Sequence, residues 1–243
     1  MKYSRYAVCS DLHGDKQDPV AVAAFDAFVK DYRPQIRIMA GDLWDFRPLR
    51  KKAEDFERAQ SMREDFDAGM IFLESFRPNV LLLGNHDIRL WRLAEQASGI
   101  IADHAQDGVK RIESRVKKLN CELRKYDKRE GVYRLGNLNV LHGFHAGKYA
   151  AKQTAEIYGT SCFGHTHACT EFTIPVWPHG KTAWNIGCLC DLNMEYDAAR
   201  PGALAQRHGW AYGIVNLQSG EFVLQLAKEV QGKYVAAPSI SWY

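Results

Sequence analysis

At 243 residues the chain exceeds a typical single domain but stays within the range one α/β unit fills. Its 46% hydrophobic and 25% charged residues are those of an ordinary globular protein, and no apolar run approaches the roughly 18 residues that a bilayer-spanning helix needs. The net charge of +3 is too small by itself to demand a nucleic-acid partner. The opening "MKYSRYAVCSDLHG" lacks an apolar core followed by a small-residue cleavage site, so it reads as the start of a strand and the expected location is the cytoplasm. The six cysteines, at 9, 121, 162, 169, 188 and 190, form no regular framework and are expected as free thiols. Cys188 and Cys190 make a C-x-C pair without the second pair that a closed zinc site would use.

In chain order, apolar β-rich runs that end in turns recur as "RYAVCSD", "IRIMAGD", "NVLLLGNHD", "LNVLHG", "SCFGHTH" and "AWNIG". Helical patterns at about 18–33, 50–76 and 88–99 separate the early ones. Strands alternating with helices predict an α/β architecture. After residue 130 strands dominate, including a hairpin over "GWAYGIVNLQSGEFVLQLAKE" with Gly220 in the turn, which favours two packed sheets with helices outside. The chain shows no repeat or linker, so one domain over 1–243 is expected, with a charged helical insertion at about 100–130. Two highly charged segments, 47–66 and 107–130, read either as solvated helices laced with i,i+4 pairs or, for the more basic second one, as an arm that holds a phosphate backbone.

The chemically useful residues fall where strands end. Asp11 and His13 follow the first strand, Asp42 the second, Asn85 and His86 the third; His142 ends a later strand, and His165 and His167 the next. In open α/β sheets the carboxyl ends of strands are where sites assemble. Most of these positions adjoin a glycine, which allows a sharp turn or a close approach. Each signal is weak alone, and the ordered set carries the weight.

That set, Asp11-x-His13, Gly41-Asp42, Gly84-Asn85-His86-Asp87, His142-Gly143 and Gly164-His165-x-His167, resembles the calcineurin-like metallophosphoesterase superfamily, block for block and in order. The resemblance implies a four-layer α-β-β-α sandwich, two packed mixed β-sheets flanked by helices, with two divalent metal ions above the strand ends. Carried over by position, Asp11, His13, Asp42 and His167 would hold one ion, and Asp42, as a bridge, would join Asn85, His142 and His165 around the other. His86 matches the non-ligand catalytic histidine. Asp87 would orient it or simply sit in a surface turn, and Asp45 would back a ligand imidazole or cap the next helix.

Carboxylate, amide and imidazole ligands without thiolate suit manganese first, with iron, zinc, nickel or magnesium as alternatives. Two such ions would favour a phosphate anion and lower the pKa of a shared water. As an imidazolium, His86 would donate a proton to the departing oxygen.

The segment "GDLWDFRPL" departs from the Ser/Thr protein phosphatases of the superfamily, which carry G-D-x-x-D-R-G, by placing Phe46 at the arginine position. The lipid A-pathway hydrolases have arginine where this chain keeps His86. "HGFHAGKYAAKQTAEIYG" and "NIGCLCDL" resemble segments of small bacterial and phage phosphoesterases; within them His145 and Lys148 are candidate phosphate contacts, and Cys188 is expected near the metals for packing. The expected function is a phosphodiesterase or nuclease acting on DNA, RNA or a nucleotide. A phosphomonoesterase and a catalytically silent binding protein of the same fold are the alternatives.

Overall fold

The first three strands are buried on both faces, which determines the layering. The computed structural model describes residues 3–51, 53–193 and 201–236. In chain order the elements are β1 (Ser4–Cys9), α1 (Pro19–Tyr32), β2 (Ile36–Ala40), α2 (Asp55–Arg58), α3 (Met62–Phe76), β3 (Val80–Leu82), α4 (Ile88–Gln96), α5 (Gly99–Lys118), β4 (Glu122–Arg124), β5 (Tyr133–Leu135) and β6 (Leu138–Leu141). The order continues with α6 (Ala150–Tyr158), β7 (Ser161–Phe163), β8 (Cys169–Ile174), β9 (Lys181–Ile186), β10 (Gly209–Val215), β11 (Phe222–Val230) and β12 (Lys233–Val235).

They form one seven-stranded sheet, β12-β11-β10-β1-β2-β3-β4, and one five-stranded sheet, β5-β6-β7-β9-β8. β1, β2, β3 and β4 run parallel, while β10 joins β1 antiparallel. In the second sheet β6, β7 and β9 are parallel, with antiparallel β5 and β8 at its edges.

Successive strand side chains point to opposite faces. Tyr6, Val8, Ile38, Ala40, Val80 and Leu82 therefore meet Leu138, Val140, Cys162 and Ile186 of the second sheet in a core between the two sheets. Their neighbours Cys9, Met39 and Leu81 face the other way, into an aromatic layer with Phe25 of α1, Phe72 and Phe76 of α3, and Ile112 and Val116 of α5. On the far side, Leu141, Phe163 and Ala183 pack on Ala150, Ala151 and Ala155 of α6. Helix, sheet, sheet and helix follow one another, the expected four-layer sandwich.

The expected helix at about 18–33 is α1, started by Asp18, whose Oδ1 accepts from Val20 N and Ala21 N. The single helix expected over 50–76 is broken. A 3₁₀ turn at Arg47–Leu49 and the short α2 precede α3, which Ser61 caps through Arg63 N at 3.1 Å. The charged stretch 107–130 is helical only to Lys118; it then enters β4 as a strand of the first sheet. α5 itself is neither an arm nor free. Its buried Ala102, Ala105, Ile112 and Val116 seal the outer core, and Arg115 pairs with Glu74 at 2.9 Å. The hairpin expected around Gly220 is β10–β11. No helix among the described residues is long and apolar enough to cross a membrane.

Candidate metal centre

β1, β2 and β3 in one sheet and β6 and β7 in the other end on a shared rim, which gathers all the strand-end residues named above. The backbone there is unusual. Asp11, His13, Asp42, His165 and His167 have φ of 55°, 56°, 51°, 71° and 57°. Non-glycine residues seldom adopt this left-handed region, and each costs about 1–3 kcal/mol. Cross-links between turns hold the strain in place: Asp11 N donates to Gly41 O at 2.9 Å, His13 N to Asp42 O at 3.0 Å and Gly164 N to His142 O at 2.8 Å.

Asp11 and Asp42 each spend one oxygen on the backbone and turn the other inward. Asp11 Oδ2 accepts from His165 N at 2.9 Å, while its Oδ1, fully buried, has no hydrogen-bond partner and lies 3.3 Å from His167 Nε2. Asp42 Oδ1 accepts from His86 N at 2.8 Å, and its Oδ2 lies 3.2 Å from His142 Nε2 and 3.9 Å from His13 Nε2. His13 Nε2 and His167 Nε2 are 3.1 Å apart, and His142 Nε2 is 3.0 Å from Asn85 Oδ1. Gly84 belongs to this packing, since a Cβ there would run into the Asp42 carboxylate.

Lone-pair atoms about 3 Å apart are what ligands spaced around one ion with bonds of roughly 2.1 Å present. Asp11–His13–Asp42 and Asp42–His142–His165 each bring their ligand atoms within 4.8 Å of one another, sharing Asp42. The orphaned Asp11 Oδ1 and the donor chemistry thus fit a pair of divalent ions. Burial opposes ionisation of Asp11, but His167 and then His142 bring its pKa down to about 2, so it stays a carboxylate. Burial and the neighbouring His142 pull His165 down to about 4, leaving a neutral imidazole lone pair. Asp42 lifts His142 to about 9 against burial.

His86 lies at the rim, and Asp45, not Asp87, holds it. His86 Nδ1 hydrogen-bonds Asp45 Oδ1, and Asp45 also lies 3.6 Å from His13 Nδ1. Asp87, expected beside His86, is instead fully buried and accepts from Trp44 N at 2.8 Å and Gly84 N at 2.7 Å. It staples the turn after β2 to the turn after β3. Burial, then the Asp42 charge, pushes its carboxyl up to about 7. The expected orienting role of Asp87 is therefore corrected: the carboxylate nearest in sequence is committed to backbone amides, and the reach to His86 belongs to Asp45.

Asp45 is anchored by two arginines that the sequence reading did not place. Arg47 Nη1 donates to its Oδ2 at 3.1 Å and Nη2 to both oxygens of Asp15 at 2.8 Å, while Arg89 Nη1 donates to the Asp45 carbonyl at 2.8 Å. Arg47 follows Phe46 directly, one position beyond the phosphatase arginine, and it is buried in this network rather than turned to the rim. The motif offset was visible in sequence; the direction of the side chain was not.

Above the rim opens a cleft of about 630 Å³. Asp42, Asn85, His86, His165 and His167 form its polar floor, and its walls are small residues such as Ala146, Ala150, Ala168 and Ala203. Lys148 reaches this cleft, whereas His145 is half-buried outside it. Asn185, in the "NIGC" segment, donates through Nδ2 to Thr166 Oγ1 between the two rim histidines, another contact that sequence reasoning did not find. None of the described lining residues comes from α5.

With this geometry in place, the sequence model for the calcineurin-like phosphoesterases matches residues 4–169, a span that contains every rim residue named so far. The chain belongs to that family. No curated protein sequence matches the chain. Among solved structures, Vacuolar Protein Sorting 29 from Cryptosporidium parvum aligns at 13% identity and a TM-score of 0.48, covering 96% of this chain and 95% of its own. A predicted phosphoesterase from Streptococcus pneumoniae TIGR4 aligns at 12% identity and 0.38, covering 94% and 91%. The phosphoesterase Yfce from E. coli aligns at 13% identity and 0.39, covering 90% and 96%.

Proposed function

We propose that this calcineurin-like phosphoesterase, acting as one domain over 1–243 in the cytoplasm, hydrolyses phosphate diesters of nucleotides or nucleic acid with two divalent ions, manganese first among them. The observation that carries the reading is the buried Asp11 Oδ1, which has no hydrogen bond and faces the Nε2 atoms of His167 and His13 across from the shared Asp42. Asp11, His13, Asp42 and His167 would hold one ion, and Asp42, Asn85, His142 and His165 the other. Bound there, the pair supplies positive charge for a phosphoryl group and a water acidic enough to attack it near neutral pH.

The chain's own residues supply the rest. His86 Nδ1 donates to Asp45, so in the imidazolium form Nε2 carries the proton that passes to the leaving oxygen. Burial lowers the pKa of His86, and the charges of Asp42 and Asp45 counter this only in part. Small residues in the walls leave room for a bulky alcohol group.

Preference for diesters now stands on different ground from the basic segment, since α5 contributes nothing to the described cleft lining. It rests on the scarcity of cations: Arg47 is buried against Asp15 and Asp45, and Lys148 is the cation among the described lining residues. One negative charge on a diester asks less of the walls than the two on a monoester.

A manganese-loaded panel tests this. It compares a chromogenic diester with its monoester, then single-stranded and duplex DNA, RNA and cyclic nucleotides. Faster turnover of the diester and of at least one nucleotide or nucleic-acid diester is expected. Turnover of monoesters alone would replace the reading by a phosphomonoesterase, and no turnover with both ions bound would favour a silent binding protein.

A further inference from the structure

A histidine that ligates through Nε2 needs a partner on Nδ1 to fix its tautomer and ring plane, and the usual partners are a carboxylate, a carbonyl or water. His142 follows that pattern, donating from Nδ1 to Ala40 O at 3.0 Å. His167 does not. Its Nδ1 faces the sulfur of Cys190 at 3.7 Å, while its Nε2 points at His13 Nε2 and Asp11 Oδ1.

Cys190 is fully buried and its backbone is clamped. Leu189 N donates to Asp11 O at 3.1 Å, Asp191 N to Lys16 O at 2.8 Å, and His208 Nε2 to the Cys190 carbonyl at 2.9 Å. Two of these bonds tie the segment to the turn that carries Asp11 and His13. Cys188, the other cysteine of the C-x-C pair, shares a side-chain hydrogen bond with Cys190 and sets its Sγ 3.7 Å from Arg207 O.

We propose that Cys190 is a positioning residue for the metal centre: its sulfur accepts the Nδ1–H of His167 and presents the Nε2 lone pair to the ion shared with Asp11 and His13. This rests on the metal reading above. A clamped sulfur is a large, polarizable acceptor, so the ring is held without adding a fixed carboxylate charge to a site that already contains Asp11 and Asp42. The length of the sulfur contact also places the ring about 0.8 Å farther from its backing group than an ordinary 2.9 Å hydrogen bond would.

The test has two readouts besides turnover. In zinc-loaded protein labelled at histidine nitrogens, the ring signals of His167 are expected to show the Nδ1–H tautomer; in Cys190→Ala they are expected to show a mixture. In manganese titrations of the same proteins, Cys190→Ala is expected to weaken one of the two ions by about 10–100-fold and spare the other. Cys190→Ser keeps an acceptor and is expected to recover most of that loss, and Cys121→Ala, in the outer core, is expected to leave both ions as in the wild type. Wild-type affinities and an unchanged tautomer in folded Cys190→Ala overturn the proposal. So does a sulfur-to-cobalt charge-transfer band in the Co²⁺-loaded protein that Cys190→Ala abolishes, because Cys190 would then be a ligand. A wild type that binds no divalent ion overturns the metal centre itself, and this inference with it, a result separable from the first because it appears before any substitution is made.

Discussion

The two halves of the proposed metal centre are braced differently. In the half formed by Asp11, His13 and His167, the outward ring nitrogens face side chains, Asp45 at 3.6 Å and Cys190 at 3.7 Å. In the half formed by Asn85, His142 and His165, the outward nitrogen of His142 bonds a strand carbonyl, Ala40 O, at 3.0 Å. A carbonyl inside a parallel sheet cannot be altered by substituting its own side chain, whereas Asp45 and Cys190 can each be replaced. The first half is thus open to tuning by single substitutions, and the second is fixed by the fold.

The largest effect should come from removing what the halves share. Asp42→Ala is expected to weaken both ions by more than about 100-fold, beyond the roughly 10–100-fold that loss of an outer partner costs. Calorimetric or electron-paramagnetic titration with manganese measures it. Retention of either ion at wild-type affinity would remove Asp42 as the bridge. Next comes His86→Ala, expected to lower kcat by about 10²–10⁴-fold while both ions remain. If instead an ion is lost, His86 belongs among the ligands. Asp45→Asn comes third and discriminates between the halves directly. It perturbs His13 and His86 together, so a loss of about 10–100-fold in affinity should be confined to the first ion. An equal loss at both ions would erase the contrast.

Metal binding should also release protons, because Asp42 holds His142 up to about 9, and the protonated ring cannot ligate. In both halves the apparent affinity should therefore rise with pH through the neutral range, since His167 is likewise held up, to about 10, as measured in paired titrations.

How much of this was legible in the sequence depends on distance along the chain. The strand-end cluster proposed as the metal ligands was readable because its seven members sit in short motifs at the ends of five strands, with residue types of one common chemistry. The layers were readable because β1, β2 and β3 are continuous apolar runs, buried on both faces, separated by helical patterns. What failed were inferences from adjacency. Asp87 follows His86, yet it faces the amides of Gly84 and Trp44; Cys188 lies by His167 and Asp11 as expected, yet the sulfur on the His167 ring is that of Cys190, across 23 residues of chain. The charged run 107–130 looked like one helix because charge pattern alone does not show where a strand such as β4 finds its neighbour. The break between α2 and α3 was likewise hidden, although Ser61 followed by Arg63 and Glu64 carried a capping signal.

The smallest expected effect comes from the far side of the sheet. Gly69 sits inside α3, where glycine weakens a helix, and Ala would ordinarily stabilise it by roughly 0.5–1 kcal/mol. Here a Cβ would strike the Trp44 indole, whose Nε1 donates to Phe66 O at 3.1 Å and which is fully buried against Phe46 and Phe66. Overpacking of that kind costs about 1–3 kcal/mol, so Gly69→Ala should lower stability rather than raise it. The direction of the shift matters for the comparison. Trp44 immediately precedes Asp45, so moving the indole moves the carboxylate that backs His13, whereas Ala40 lies within β2. Gly69→Ala should therefore weaken the first ion by a few-fold in manganese titrations and leave the second at its wild-type affinity, alongside a lower Tm. A raised Tm would show that the indole yields at no cost, and equal weakening of both ions would show that the two halves are braced as one.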